Sequence, residues 1–270
     1  MNRLSYYDLI SVSPYFLDGV GHIRAVTFRD IDSLPRKLET YNMFTSVISF
    51  DKDSYIKATE MTVDQVDLLN NIFKEYDIKP TVYDYMLTNE TMTGQLLLSL
   101  DFFFVEHVAY NPNNTTFFTY TDLEKPEESK VGVISRDNFK DVFGVILQRC
   151  NLYSDEEEDY DNMVFRNEAT RRKWIKQHEG ELARRREKQK TNSTKFELPN
   201  IISSVCAEGI GITMINVWDM TVYNLYDQFE RVRNNRIDKI TSTSISVWGD
   251  KKGVYDTDGW LTNNVTKQSN

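Results

Sequence analysis

Apolar residues recur at three- and four-residue steps through much of the first half of the chain, which is the spacing of one helix face. One such stripe covers residues 38–48. Another follows Thr62–Gln65, a segment with the form of a capping box at a helix start. A third occupies residues 139–147, just after Asp137 and Asn138. These stripes predict that the first half is mostly helical.

The apolar period changes between residues 105 and 134. Three short segments there are rich in β-branched and aromatic residues, and they lie at 108–110, 116–120 and 130–134. Separated by turn-forming residues, they predict a small three-stranded antiparallel sheet. Two further extended pieces, 14–16 and 22–26, flank a turn at Asp18–Gly21. The predicted fold class is therefore α+β and predominantly helical, with helices before and after the sheet.

The last part of the chain returns to helical spacing. One helix is predicted over Ile201–Ala207. A second is predicted after Asp219, with apolar positions Val222, Leu225, Tyr226, Phe229 and Val232. Beyond Asn234 and Asn235, a separate short helix, Ile237–Trp248, is expected to end at Gly249. In the second helix, Val222, Leu225 and Phe229 are expected to pack inward, which leaves Tyr223 and Arg231 directed away from the packed face.

Charge divides the chain into three regions. Residues 1–152 are predicted to form a globular α+β domain and residues 197–270 a helical, aromatic-rich C-terminal region, joined by a charged segment, 153–196. This segment opens with six acids in the seven residues 155–161, followed over 166–190 by ten Lys or Arg against four Glu. Its high helix propensity and low apolar content predict a long exposed helix near 165–190.

Composition limits the classes of function. The net charge of −9 disfavours nucleic-acid binding by the chain as a whole. The N-terminus lacks the apolar core and cleavage site of a signal peptide, and no stretch approaches the ~20 apolar residues of a membrane span. We therefore expect a soluble protein of the cytoplasm. Cys150 and Cys206 have no CxxC spacing and are expected to be buried small residues in a reducing compartment, with a disulfide or reactive thiol as the alternative.

No motif points to catalysis. The histidines His22, His107 and His178 are scattered and lie in no nucleophile motif, and the GxG at Gly19–Gly21 lacks the third glycine of a dinucleotide site. The acidic run 155–161 lacks the alternation and central glycine of a calcium loop. The sequence therefore predicts a non-enzymatic protein with no cofactor and no bound metal. A pair of catalytic carboxylates remains an open alternative.

Two groups of residues are candidates for contact with a partner. Aromatic residues and arginine dominate binding hot spots, and the C-terminal region offers Trp218, Tyr223, Tyr226, Arg231, Trp248 and Trp260. These residues could equally form a small core. In the basic segment, Arg184, Arg185 and Arg186 are candidates for contacts with phosphates or an acidic partner.

Several segments of the chain resemble a family of proteins encoded in the tail modules of phages of Gram-positive bacteria. The segments that carry the resemblance are Val20–Arg24, Val131–Ile134, Val145–Arg149, Leu198–Val205, Ile215–Phe229, Ser246–Asp250 and Asp258–Trp260. The charged helix fits the same family, whereas the acidic run 155–161 is a departure from it.

The resemblance implies a tail-assembly chaperone of the host cytoplasm. Such a protein is expected to bind the tape-measure protein during tail morphogenesis, with tail-tube subunits as a second partner. The family supplies no catalytic residues. Two alternatives stay open at this point: a structural virion protein of the tail or baseplate, and a nucleic-acid-associated phage protein acting through the basic helix 166–190.

Overall fold

The computed structural model describes residues 3–75, 77, 79–152, 197–250, 253 and 255–261. Chain contacts divide the protein into two compact units. Unit one consists of residues 1–152 together with 221–223, and unit two of residues 153–220 and 224–270. The helix predicted near 165–190, with Arg184, Arg185 and Arg186, lies outside the described residues.

Unit one is built from eight described helices and five short strands. Its helices are α1 (Tyr6–Ile10), α2 (Phe28–Asp32), α3 (Leu38–Ser49), α4 (Lys52–Ala58), α5 (Val63–Glu75), α6 (Val82–Leu87), α7 (Glu90–Phe103) and α8 (Phe139–Arg149). The strands are β1 (Tyr15–Leu17), β2 (Gly21–Ile23), β3 (His107–Asn111), β4 (Thr116–Tyr120) and β5 (Lys130–Ile134). The predicted α+β, predominantly helical class is confirmed.

The strands form two antiparallel sheets, β1–β2 and β3–β4–β5. The second is the three-stranded sheet predicted from the change of period. Its central strand, β4, pairs Phe117 with Ile134 on β5, and both side chains are fully buried. The sheet thus contributes its aromatic face to the core of unit one.

The β1–β2 hairpin is attached to the sheet through backbone atoms. Val133 N donates to Gly19 O at 2.9 Å, and Thr119 Oγ1 donates to Val20 O at 2.5 Å. At this point Gly132 of β5 lies so close to the hairpin that a Cβ atom would stand 2.5 Å from Val20 Cα. A glycine is needed because the two backbones come closer than a side chain allows.

The amphipathic pattern after Thr62 yields α5, and the predicted capping box is confirmed. Thr62 N donates to Gln65 Oε1 at 2.9 Å, and Gln65 N donates to Thr62 Oγ1 at 3.4 Å. The helix nevertheless has no buried residue. Its inward side chains, such as Phe73 with its ring 6.3 Å from that of Tyr85, are only half-buried.

Unit two contains α9 (Leu198–Ala207), a 3₁₀ turn (Val217–Asp219), most of α10 (Val222–Trp248) and a second 3₁₀ turn (Gly259–Leu261). The prediction of a separate helix after Asn235 is wrong, because α10 continues through Asn234 and Asn235 without a break. Asparagine costs only ~0.5–0.7 kcal/mol relative to alanine inside a helix, which is too little to end one. The predicted end at Gly249 is confirmed, with φ of +72° there. No described helix has the length and apolar character that a membrane crossing requires.

The two cysteines are free thiols in different surroundings. Cys150 is 2 % exposed, and burial raises the pKa of its thiol to about 12, whereas Cys206 is half-buried. The prediction of a buried small residue is therefore confirmed for Cys150.

We expect a thiol reagent at neutral pH to label Cys206 at least ~100-fold faster than Cys150, since the thiolate is the reacting species and Cys150 is both protonated and inaccessible. Mass spectrometry of the labelled peptides measures both rates. In denaturant the rates should become similar. Equal rates in the native protein would contradict the buried position of Cys150.

Candidate partner-binding surface

The connection between α9 and the 3₁₀ turn is a loop held by its own polar side chains. Gly209 and Gly211 have positive φ, +69° and +86°, and so turn the chain twice after α9. Thr213 N donates to Asn216 Oδ1 at 2.7 Å, and Asn216 Nδ2 donates to Gly211 O at 2.9 Å. Short-range bonds of this kind fix a loop without help from a partner.

This loop exposes large apolar side chains. Ile215 is 85 % exposed, and Ile210, Met214 and Trp218 also present substantial surface to solvent. The indole Nε1 of Trp218 donates to Met214 O at 2.9 Å, which places the ring beside the loop tip. We call these four residues the apolar loop surface.

The apolar loop surface has the chemistry of a protein-binding site. Residues 209–218 include no charged side chain, although 27 % of the whole chain is charged. The fully buried centres of protein interfaces are depleted of charge and enriched in Trp and Met. A cluster of exposed apolar side chains on an ordered loop therefore indicates a contact site, since its exposure to water is unfavourable.

The aromatic residues predicted as contacts lie in different surroundings. Trp248 is 75 % exposed, and Trp218 and Trp260 are also exposed. Tyr226 and Arg231 are half-buried. The Nε of Arg231 lies 3.6 Å from Asp227 Oδ2, an ion pair within α10. The binding role of these five residues stays a prediction.

The expectation that Tyr223 is directed away from the packed face is wrong, because Tyr223 is only 4 % exposed. Residues 221–223 are held within unit one, where Val222 N donates to Val26 O at 2.9 Å and Thr221 forms a β-bridge with Thr27. Helical spacing alone does not reveal this attachment. The first turn of α10 is therefore buried on more sides than its apolar stripe indicates.

The sequence prediction missed Ile210, Met214 and Ile215. These three residues are neither aromatic nor charged, and Trp218 is the one aromatic residue in their part of the sequence, 209–218. The available signal was the ten-residue interval without charge, 209–218, containing two glycines between two helices. That pattern is typical of an ordered loop with an apolar tip.

A partly buried side-chain contact in unit one is formed by His22 and Glu106. The Glu106 side chain is 5 % exposed and lies 2.6 Å from His22 Nδ1. Its second oxygen accepts a bond from His22 N at 2.9 Å. Both contacts attach β2 to the residue that precedes β3, which is a structural role. Among the described residues, no group of three His, Cys, Asp or Glu is arranged to hold a metal ion.

One comparison with known proteins gives a match, and it covers the apolar loop surface. Residues 187–264 match the family model of the YomV second domain. No curated protein and no solved structure matches the chain. The matched segment, which also contains the whole of α10, is therefore similar to the second domain of YomV, a Bacillus phage protein.

Proposed function

We propose that this chain is a non-enzymatic phage protein that binds another protein through the apolar loop surface. The observation that carries the proposal is the exposure of Ile215, Met214 and Ile210 on a loop already fixed by Thr213 and Asn216. A loop that is already ordered loses little conformational entropy on binding. The favourable free energy from burying its apolar side chains is therefore opposed by only a small entropy cost.

The proposed partner is a phage tail protein, with the tape-measure protein first and tail-tube subunits second. This part of the proposal is supported by the resemblance to the tail-module family and by the phage-type match over residues 187–264. A tape-measure protein is a long helical chain with apolar faces that need protection before assembly. An uncharged apolar loop suits such a face, and the chain would then act as a tail-assembly chaperone in the host cytoplasm.

The test is co-expression with the tape-measure protein of the same phage, followed by affinity purification and calorimetry. Replacing Ile215 and Met214 together by serine should weaken binding at least ~30-fold, because the loss of a single hot-spot side chain already costs about 2 kcal/mol. Val12→Ser is the matched control, since Val12 is also a well-exposed apolar residue but lies in unit one. This control should bind like the wild type.

Two results would overturn parts of the proposal separately. If the wild-type chain does not co-purify with the tape-measure protein, the partner is wrong. If the double variant binds as tightly as the Val12→Ser control, the surface is wrong. Recovery of the chain in stoichiometric amount from purified virions would replace the chaperone role by a structural one.

A further inference from the structure

The second half of α10 carries an apolar stripe separate from the loop. Ile237, Ile240, Ser244 and Val247 follow one another at steps of three, four and three residues, which is the spacing of the facing positions in a coiled coil. The three apolar side chains are between 59 % and 72 % exposed, and the adjoining Trp248 is 75 % exposed. We call these five residues the α10 stripe.

Tyr255, in the C-terminal segment, contacts another side of this helix. Tyr255 OH donates to Asp238 Oδ1 at 3.0 Å. Since each residue turns an α-helix by about 100°, Asp238 lies about a quarter turn around the helix from Ile237. The stripe is therefore exposed beside a face that the chain itself contacts.

Most of the α10 stripe lies in an uncharged part of the helix, whereas Ile237 has charged neighbours in Arg236 and Asp238. From Ile240 to Gly249 there is no Asp, Glu, Lys or Arg. Two copies of this chain can therefore bring these helices together without opposing like charges, despite the net charge of −9. The same stretch contains β-branched Thr241, Thr243 and Ile245, which favour helix weakly, so burial of the stripe would stabilise a helix with low propensity.

We infer that the α10 stripe pairs with the same stripe of a second copy of this chain, in antiparallel orientation. This arrangement places Ile237 opposite Val247 and Ile240 opposite Ser244. The small Ser244 of each copy then faces the large Ile240 of the other, so the side chains pack without a void. A parallel pair would instead set Ser244 against Ser244 and leave a void at the centre of the seam.

The size of the contact sets its strength. Residues 237–247 span about 16 Å at ~1.5 Å per residue. This is a three-turn seam, smaller than a standard interface of ~800 Å² per partner. The dimer is therefore weak and reversible, forming over the micromolar range.

Sedimentation velocity of the full chain from about 1 to about 200 µM tests self-association. We expect a monomer at the low end and a dimer at the high end. Ile240→Asp should weaken association at least ~10-fold, because it buries an unpaired charge in the seam. Ser246→Asp adds the same charge on the opposite, exposed side of α10 and should leave association unchanged.

Disulfide trapping tests the orientation. In a Cys206→Ser background, protein carrying Ile237→Cys is mixed with protein carrying Val247→Cys under mild oxidation. The antiparallel pair should give the mixed 237–247 product as the main dimer. Predominant 237–237 and 247–247 products would overturn the antiparallel arrangement.

A monomer at every concentration, or equal association of Ile240→Asp and Ser246→Asp, would overturn the dimer. Ile215→Ser should leave sedimentation unchanged, since the loop is not part of the seam. Failure of the dimer is thus distinguishable from failure of the partner-binding proposal.

Discussion

Replacing Gly132 by alanine should lower the free energy of unfolding by about 3 kcal/mol. The new Cβ would stand 2.5 Å from Val20 Cα and would also overlap Gly19 O, both backbone atoms of the β1–β2 hairpin. These atoms cannot rotate away as a side chain would. The hairpin must move as a unit, and it would lose the bond from Val133 N to Gly19 O and the bond from Thr119 Oγ1 to Val20 O.

Gly94→Ala is the matched control for this substitution. Gly94 lies at an exposed position of α7, and a Cβ atom added there would have no neighbour within 4 Å. Alanine there should stabilise by up to about 1 kcal/mol, since it favours the helix. Urea unfolding followed by circular dichroism measures both variants. Equal midpoints for Gly132→Ala and the wild type would show that the hairpin does not pack on β5 as described.

The elements that could be predicted are those determined by contacts close in sequence. The sheet followed from short segments rich in β-branched and aromatic residues, such as the one around Phe117, and from the turns between the strands. The start of α5 followed from the reciprocal bonds of Thr62 and Gln65, which join residues three apart. Helix α8 followed from one apolar stripe. In each case the pattern that predicts the element also provides its bonds or its buried face.

The features that could not be predicted depend on contacts distant in sequence. Tyr223 is buried because residues 221–223 attach to Val26 and Thr27, nearly 200 positions away along the chain. The need for glycine at position 132 depends on Gly19 in the same way. A periodicity argument identifies which face of a helix is apolar, but it does not reveal what packs on the other faces.

The two surfaces that we propose for binding, the apolar loop surface and the α10 stripe, lie mostly in two uncharged intervals of unit two. Residues 209–218 contain the apolar loop surface, and residues 240–249 contain most of the α10 stripe. Both lie within the segment that matches the YomV second domain. In a chain with 27 % charged residues, ten consecutive positions without charge on an exposed element indicate a surface kept free for association. The sequence predicted contacts in the charged segment 153–196 and at aromatic residues of the C-terminal region, and both proposed surfaces lie in that C-terminal region.

Replacing Tyr83 by alanine should lower the free energy of unfolding by about 3–5 kcal/mol. Its side chain is 1 % exposed, and its ring stacks on that of Phe139 at 5.2 Å between centroids. The hydroxyl donates to Thr115 O at 2.9 Å and also lies 3.3 Å from Ile134 O, so it joins α6 to β5 and to the residue before β4. Loss of the ring leaves a cavity between α6, α8 and the sheet. Thermal and urea unfolding measure the loss.

Tyr83→Phe removes the hydroxyl and keeps the ring, so it measures the contribution of the hydroxyl to stability. This contribution depends on pH. At pH 7 it should cost only about 1 kcal/mol, the typical contribution of one hydrogen bond. Burial, with smaller contributions from Tyr110 and Asp84, raises the pKa of Tyr83 well above 10 in the native protein. The unfolded chain therefore loses this proton first, so the stability linked to Tyr83 is present below about pH 10 and declines as pH rises above it. The wild type should accordingly lose stability faster than Tyr83→Phe between about pH 9 and 11, and the gap between them should narrow. A gap that stays constant or widens over that range would show that the Tyr83 hydroxyl is not buried in the native protein.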